Sequence, residues 1–247
     1  MTRPRHLRNA PITEALFDFR VKARIDFRNE EFLPLQAQLA DRFPKMEDRH
    51  RMQAIFEVEG GKGRPPVIQK SPHGYFFKSE DEKTGVQFRV DGFTLNRLRP
   101  YTSWDELFPL VIDLWRLYCT TARPEVITRL AVRYINRIPL PPGPIRTETY
   151  LRPGPTIPQE LPQHISSFLT RVTIHDPDAD IAAHVAQALE VDVSRQQSIV
   201  ILDIDAFRQG EVAVGDTAVE ETLNRLRKFK NLIFFSSLTE EAVRQFE

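Results

Sequence analysis

The chain has 247 residues, 41% of them hydrophobic, and its 34 basic side chains balance 34 acidic ones. That is enough apolar chain for one large domain or two small ones and excludes a disordered tail, while zero net charge removes the whole-protein pull toward nucleic acid or an anionic membrane. One cysteine, Cys119, excludes an intrachain disulfide and a multi-thiolate metal site, which makes a reducing, cytoplasmic setting the expectation.

The first predicted element is a half-buried strand from Ile12 to Ile25, where Ala15, Phe17, Phe19, Val21 and Ala23 alternate with polar neighbours. Asn29 is a candidate cap for a following helix, with Glu30 and Glu31 in its first turn and Phe32, Leu35, Leu39 and Phe43 on one face, stopped by Pro44. Between Met52 and Leu98 short β-type runs alternate with Gly and Pro, the pattern of an antiparallel meander, with Asp91-Gly92 as its best hairpin turn. Ser103 and Glu106 form a capping box that opens a second helix to about Thr121, interrupted at Pro109, where a kink is expected.

A long strand over Val126–Ile138 comes next. Strict alternation puts Val126, Thr128, Leu130, Val132, Tyr134, Asn136 and Ile138 on one face, and Ile127, Arg129, Ala131, Arg133, Ile135 and Arg137 on the other. Eight prolines between Pro139 and Pro162 predict an extended surface connection. FLTRVTI and SIVILDIDAF read as strands, a helix is predicted from about Asp216 through Val219, Leu223, Leu226, Phe229 and Ile233, and Thr239 caps a short turn. Ile181–Val191 fits both helical and alternating spacing, and propensity favours helix.

Cut after Arg123, the chain gives residues 1–123, strand, helix, meander and helix, and residues 124–247, strand, proline-rich connection over 139–162, strands and helix. The expected fold class is therefore α+β, with two pseudo-repeated halves, each an antiparallel sheet packed with a long helix. The two initial strands are then candidates to pair at a pseudo-twofold centre.

The segments NAPITEALFDFRV, FTLNRLRPYTSWDELFP, TRLAVRYINRIPLP, LDIDAF and NLIFFSSLTEEA, spread from Asn9 to Ala242, together resemble a sporadically distributed, uncharacterised prokaryotic protein family of about 250 residues. Tyr101-Thr102-Ser103-Trp104 and Arg133-Tyr134-Ile135-Asn136-Arg137 are the most specific parts of the likeness. The resemblance implies no catalytic residue and no cofactor. It implies that Ile181–Val191 is a strand, against its propensity, and the scattered distribution fits a mobile or defence-associated locus.

Three groups of residues could carry chemistry. Arg129, Arg133 and Arg137 lie four apart on one strand face, about 13 Å between neighbours, a ridge able to hold phosphates or an acidic partner, or simply to pair with acids nearby. Asp203 and Asp205 share a strand face and are weak candidates for a divalent cation, because two carboxylates fill only part of a six-oxygen shell; pairing with arginines of an adjacent strand explains them equally. Tyr101 and Trp104 flank the capped helix start, where free backbone donors can meet an anion, and Asn136 needs partners if buried. Gly60-Gly61-Lys62-Gly63-Arg64 lacks the spacing of a phosphate loop, the six histidines occur singly, and Cys119 reads as a small buried residue.

No catalytic constellation emerges, so the leading expectation is a non-enzymatic cytoplasmic binding protein without a cofactor, engaging a protein partner or an anionic ligand. A metal-dependent hydrolase or phosphoryl-processing enzyme centred on Asp203 and Asp205 is one alternative. Nucleic-acid binding through Arg129, Arg133 and Arg137 is another, disfavoured by the charge balance. No window approaches the ~18 consecutive apolar residues of a membrane span, and the basic start lacks the apolar core of a signal peptide, so no membrane partner is expected.

Overall fold

The computed structural model describes residues 7–55, 58–59, 62–63, 67–141, 147–162, 165–192 and 197–247. Nine strands form one antiparallel sheet: β1 (Ile12–Lys22), β2 (Lys45–Ile55), β5 (Val67–Lys78), β6 (Thr84–Arg89), β7 (Gly92–Leu98), β8 (Val126–Pro139), β9 (Leu169–Asp176), β10 (Ile181–Asp192) and β11 (Gln197–Val212). Their order is β2-β5-β6-β7-β1-β8-β11-β10-β9, and a small ribbon of β3 (Val58–Glu59) and β4 (Lys62–Gly63) stands apart. The α+β class is as expected. A separate sheet for each half is not what forms: β1 is hydrogen-bonded to β7 on one edge and to β8 on the other, so the two halves share one sheet across the β1–β8 pair.

Two long helices, α2 (Trp104–Ala122) and α3 (Asp216–Ser237), cover one face of this sheet, beside the short α1 (Leu35–Leu39) and α4 (Glu240–Arg244). The alternation of β1 explains why: Ala15, Phe17, Phe19 and Val21 are all buried on the helix side. Phe19 stacks on Trp115 at 4.6 Å between ring centroids, Phe17 meets Trp104 at 5.2 Å, and Trp115 stacks on Tyr118 at 5.4 Å, so α2 is held by an aromatic layer. Ser103 caps α2 through a 3.2 Å bond from the Glu106 amide, one of the two bonds of the expected capping box, and Pro109 stands inside the helix. No helix among the described residues is long and apolar enough to cross a membrane.

Several expectations change in detail. The helix predicted after Asn29 is split by Pro34 into a short 3-10 turn (Asn29–Phe32) and α1, although Phe32, Leu35, Leu39 and Phe43 are all buried as predicted. Asn29 is the first residue of that turn and not its cap. Strict alternation along β8 breaks at Thr128: the register shifts between Arg20 and Val21, and Ile127 turns to the core with Leu130, Val132 and Tyr134. Residues 90 and 91 form the turn between β6 and β7, one position earlier than Asp91-Gly92. Ile181–Val191 is strand, because β9 and β11 pair with it on both edges. The proline-rich connection is not wholly superficial, since Thr147 and Leu151 are buried and Leu151 bridges to Leu238. Gly60, Gly61 and Arg64 lie outside the described residues; Lys62-Gly63 pairs with Glu59 and Val58.

Candidate functional site

The sheet face without helices carries the arginine ridge. Arg133 grips Asp203 with two bonds, Nε to Oδ1 at 2.9 Å and Nη2 to Oδ2 at 2.5 Å, the forked geometry that guanidinium favours. Arg129 reaches Asp205 at 2.8 Å and Asp18 at 3.4 Å, stacks over the Phe207 ring at 4.7 Å, and leaves only 12% of its side chain exposed. Asp18 also takes a bond from Thr94 at 2.7 Å and meets Arg89 at 3.2 Å. Arg137 pairs with Glu190 at 3.0 Å. Glu14, which contacts Asn96, has its carboxyl raised above the ordinary range by burial, a rise opposed by the charge of Arg133. The ridge is thus a lattice of ion pairs across β6, β1, β8, β11 and β10, joined to β7 by the hydrogen bonds of Thr94 and Asn96. Its acids are the same Asp203 and Asp205 considered as cation ligands, each engaged by an arginine. Among the described residues, no group of three His, Cys, Asp or Glu side chains is placed to hold a metal ion.

The other candidates meet on the opposite face. Tyr101 and Trp104 at the start of α2, Tyr134 and Asn136 from β8, and Arg227, Lys230 and Phe234 from α3 line a half-open cavity of about 370 Å³, together with Leu7, Ala10, Pro11 and Ile12. Asn136, 1% exposed, spends its amide protons on the carbonyls of Leu202 at 3.0 Å and Tyr134 at 3.3 Å, which ties the wall to β11. The hydroxyls of Tyr101 and Tyr134 lie 3.3 Å apart, and their rings meet edge to face at 5.6 Å. Burial pushes both phenols up, so both are protonated at neutral pH. Arg227 lies over the Trp104 ring at 5.0 Å and reaches the mostly exposed Asp105 at 3.3 Å.

Lys230 is the residue that pattern reading passed over. It occupies the inward stripe of α3 with Val219, Leu223, Leu226 and Ile233, is 8% exposed, and sets its Nζ 3.8 Å from the centroid of the Tyr134 ring. No described carboxylate pairs with it. Burial drives its pKa down to about 7, helped by the positive charge of Arg227. The sequence signal was its spacing, four after Leu226 and three before Ile233, which places an amine on an apolar stripe.

Cys119 lies outside this cavity on α2, half-buried, and burial pushes its thiol up to about 12, which keeps it protonated and unreactive. Comparison with models of known protein families and with curated proteins found no match.

Proposed function

We propose that the chain is a binding protein for a small organic anion with an apolar or aromatic body, held in the cavity beneath α3. The single observation that carries this reading is Lys230, a buried amine with no acidic partner among the described residues. A buried ammonium without a counter-ion is costly, and an anionic ligand supplies the missing charge. Arg227 at the same cavity adds a second positive group, Trp104, Tyr101 and Phe234 offer apolar surface, and about 370 Å³ accommodates a molecule of one ring and a short chain. The ion-paired ridge on the other face is a weaker candidate for anions, because a phosphate there has to compete with carboxylates already in place.

Two further points support the reading without carrying it. From the centre outward the strand order is β1-β7-β6-β5-β2 on one side and β8-β11-β10-β9 on the other, each last-formed strand being followed by a long helix, which fits two degenerate copies of one unit. The cavity then sits where the helix of the second copy meets the helix start of the first. The likeness to a sporadically distributed family fits an accessory role at a mobile or defence-associated locus.

The test is titration with benzoate, phenylacetate and phenyl phosphate, followed by melting temperature and calorimetry. A ligand that binds only the folded chain stabilises it, by about 2.7 kcal/mol at one hundred times its dissociation constant. The expected result is saturable stabilisation that Lys230→Met abolishes. Above pH 7 binding takes up a proton, because an anion beside Lys230 restores its charge, and the measured heat then varies with the ionisation enthalpy of the buffer. Absence of saturable binding by all three anions, or binding that is undiminished in Lys230→Met, overturns the proposal.

A further inference from the structure

We infer that Lys230 is a nucleophile that condenses reversibly with the carbonyl group of a small aldehyde or ketone bearing an anionic group, and so anchors its ligand as an imine. The inference rests on the cavity being a ligand site and deepens that reading by naming the ligand's chemistry.

Four features of the cavity lead to it. Lys230 is more than nine-tenths buried, lines the cavity, and holds its Nζ over the Tyr134 ring, so the amine is fixed in direction and shielded from bulk water. Arg227, one turn away on the same helix, is placed to hold an anionic group while the carbonyl meets the amine. Of the Tyr101 and Tyr134 hydroxyls on the cavity wall, one donates to the other, and the second proton is left to donate to an oxygen that develops charge. The titratable and charged groups facing the amine are Tyr101 before α2, Asp105 on α2, Tyr134 on β8 and Arg227 on α3; the segment over Leu7–Ile12 contributes only apolar lining. Asp105, the one carboxylate among them, pairs with Arg227 at 3.3 Å and not with Lys230, so the neutral amine required for attack is available near neutral pH, as its lowered pKa also indicates.

The step balances without an oxidant or reductant. The nitrogen lone pair attacks the carbonyl carbon and forms the C–N bond, while the π pair moves to oxygen, which takes a proton. Nitrogen then returns a pair to carbon as that oxygen leaves in water. Both hydrogens of the water come in net from the amine: one amine and one carbonyl compound give one imine and one water.

Two probes separate this inference from simple binding: phenylpyruvate, which has a ketone, and phenyllactate, which has an alcohol in its place. Both are added to the full chain, melting temperature is read, and the mixtures are reduced with sodium borohydride and mapped by peptide mass spectrometry. The expected result is stabilisation by both acids, a reduced adduct with phenylpyruvate alone, and that adduct on Lys230 in preference to the other seven lysines. Its rate of formation should rise through pH 7, about three and a half units below an exposed lysine. Lys230→Arg, which keeps a cation but cannot form the adduct, should still be stabilised by both acids, and Lys230→Met serves as a second control if the arginine does not fit. Stabilisation by both acids with no adduct, or with adducts no richer at Lys230 than at surface lysines, overturns the inference and leaves anion binding standing. An adduct on Lys230 with no effect of phenyllactate supports the covalent step and counts against non-covalent anion binding. No stabilisation and no adduct overturns both.

Discussion

Lys230 costs the unliganded fold stability, and the direction of that cost with pH follows from linkage. Its folded pKa, about 7, lies below the value of 10.5 for a free side chain, so between those limits the unfolded chain binds more protons and stability rises with pH. Below pH 7 the full penalty of burying the amine is present; above about 10.5 it is gone. Lys230→Met is therefore expected to be more stable than the parent at pH 6, by up to roughly 5 kcal/mol at 1.36 kcal/mol per pKa unit, with the gap closing toward pH 10.5. Chemical denaturation of both proteins at pH 6, 8 and 10 measures it, and a gap that stays constant or widens with pH contradicts the assignment. The site itself was only partly legible. Tyr101, Trp104 and Asn136 stand out in the sequence because a capping box and a strand alternation frame them, and all three line the cavity. Lys230 does not stand out, because even a lysine spaced onto an apolar stripe ordinarily extends its long stem and carries its amine out to solvent. Only the tertiary placement of Tyr134 and Arg227 shows that this one turns inward.

At the scale of single elements, the signals that proved sufficient are those whose physics is local. Ser103 accepts from the Glu106 amide whatever packs on α2, so the helix start is readable from four residues. Ser103→Ala is expected to cost about 1 kcal/mol of stability by denaturant unfolding. Because Ser103 also borders the cavity, the same variant should weaken anion binding beyond that stability loss. Signals that depend on a neighbour were not readable. The shift at Thr128 arises from the pairing of β8 with β1, and the strand over Ile181–Asp192 is imposed by two partners against a helical propensity. Gly92 shows the same dependence in one residue. A Cβ there would lie 2.2 Å from the carbonyl oxygen of Phe19 on the adjacent strand, a backbone atom that cannot step aside without disturbing the pairing of β1 and β7. Gly92→Ala is expected to destabilise by roughly 2–3 kcal/mol, in the range of overpacked cores, whereas Gly215→Ala, where the added atom meets nothing within 4 Å, should cost about 1 kcal/mol or less, from the weaker cap of α3 alone. Comparable losses at the two positions would argue against the close approach of β1 and β7.

For the whole molecule, the question is whether the two halves of the chain behave as two bodies or one. The antiparallel class was legible from the short alternating strands in each half, and the two initial strands, β1 and β8, do pair with each other inside the sheet. The continuity of the sheet was not legible, because it depends on β1 offering both edges to partners from opposite halves. Arg129 makes that continuity electrostatic as well: from β8 it binds Asp18 on β1 and Asp205 on β11, and its 12% exposure shields these contacts from screening. Arg137, with a side chain 36% exposed and a single partner among the described residues, Glu190, is an ordinary surface pair. The three ridge arginines therefore differ in weight. Arg137→Gln is expected to cost below about 1 kcal/mol, and Arg129→Gln about 3 kcal/mol, because its loss strips two part-buried carboxylates of a partner. Both tryptophans, Trp104 and Trp115, report on the first half, while hydrogen exchange of β10 and β11 reports on the second. If the sheet unfolds as one unit, the tryptophan and exchange transitions coincide in the parent, and Arg129→Gln shifts both to lower denaturant by the same amount. A parent whose two probes report separate midpoints, or an Arg129→Gln variant that moves the second-half transition alone, would show that the β1–β8 pair joins two independently stable bodies rather than one.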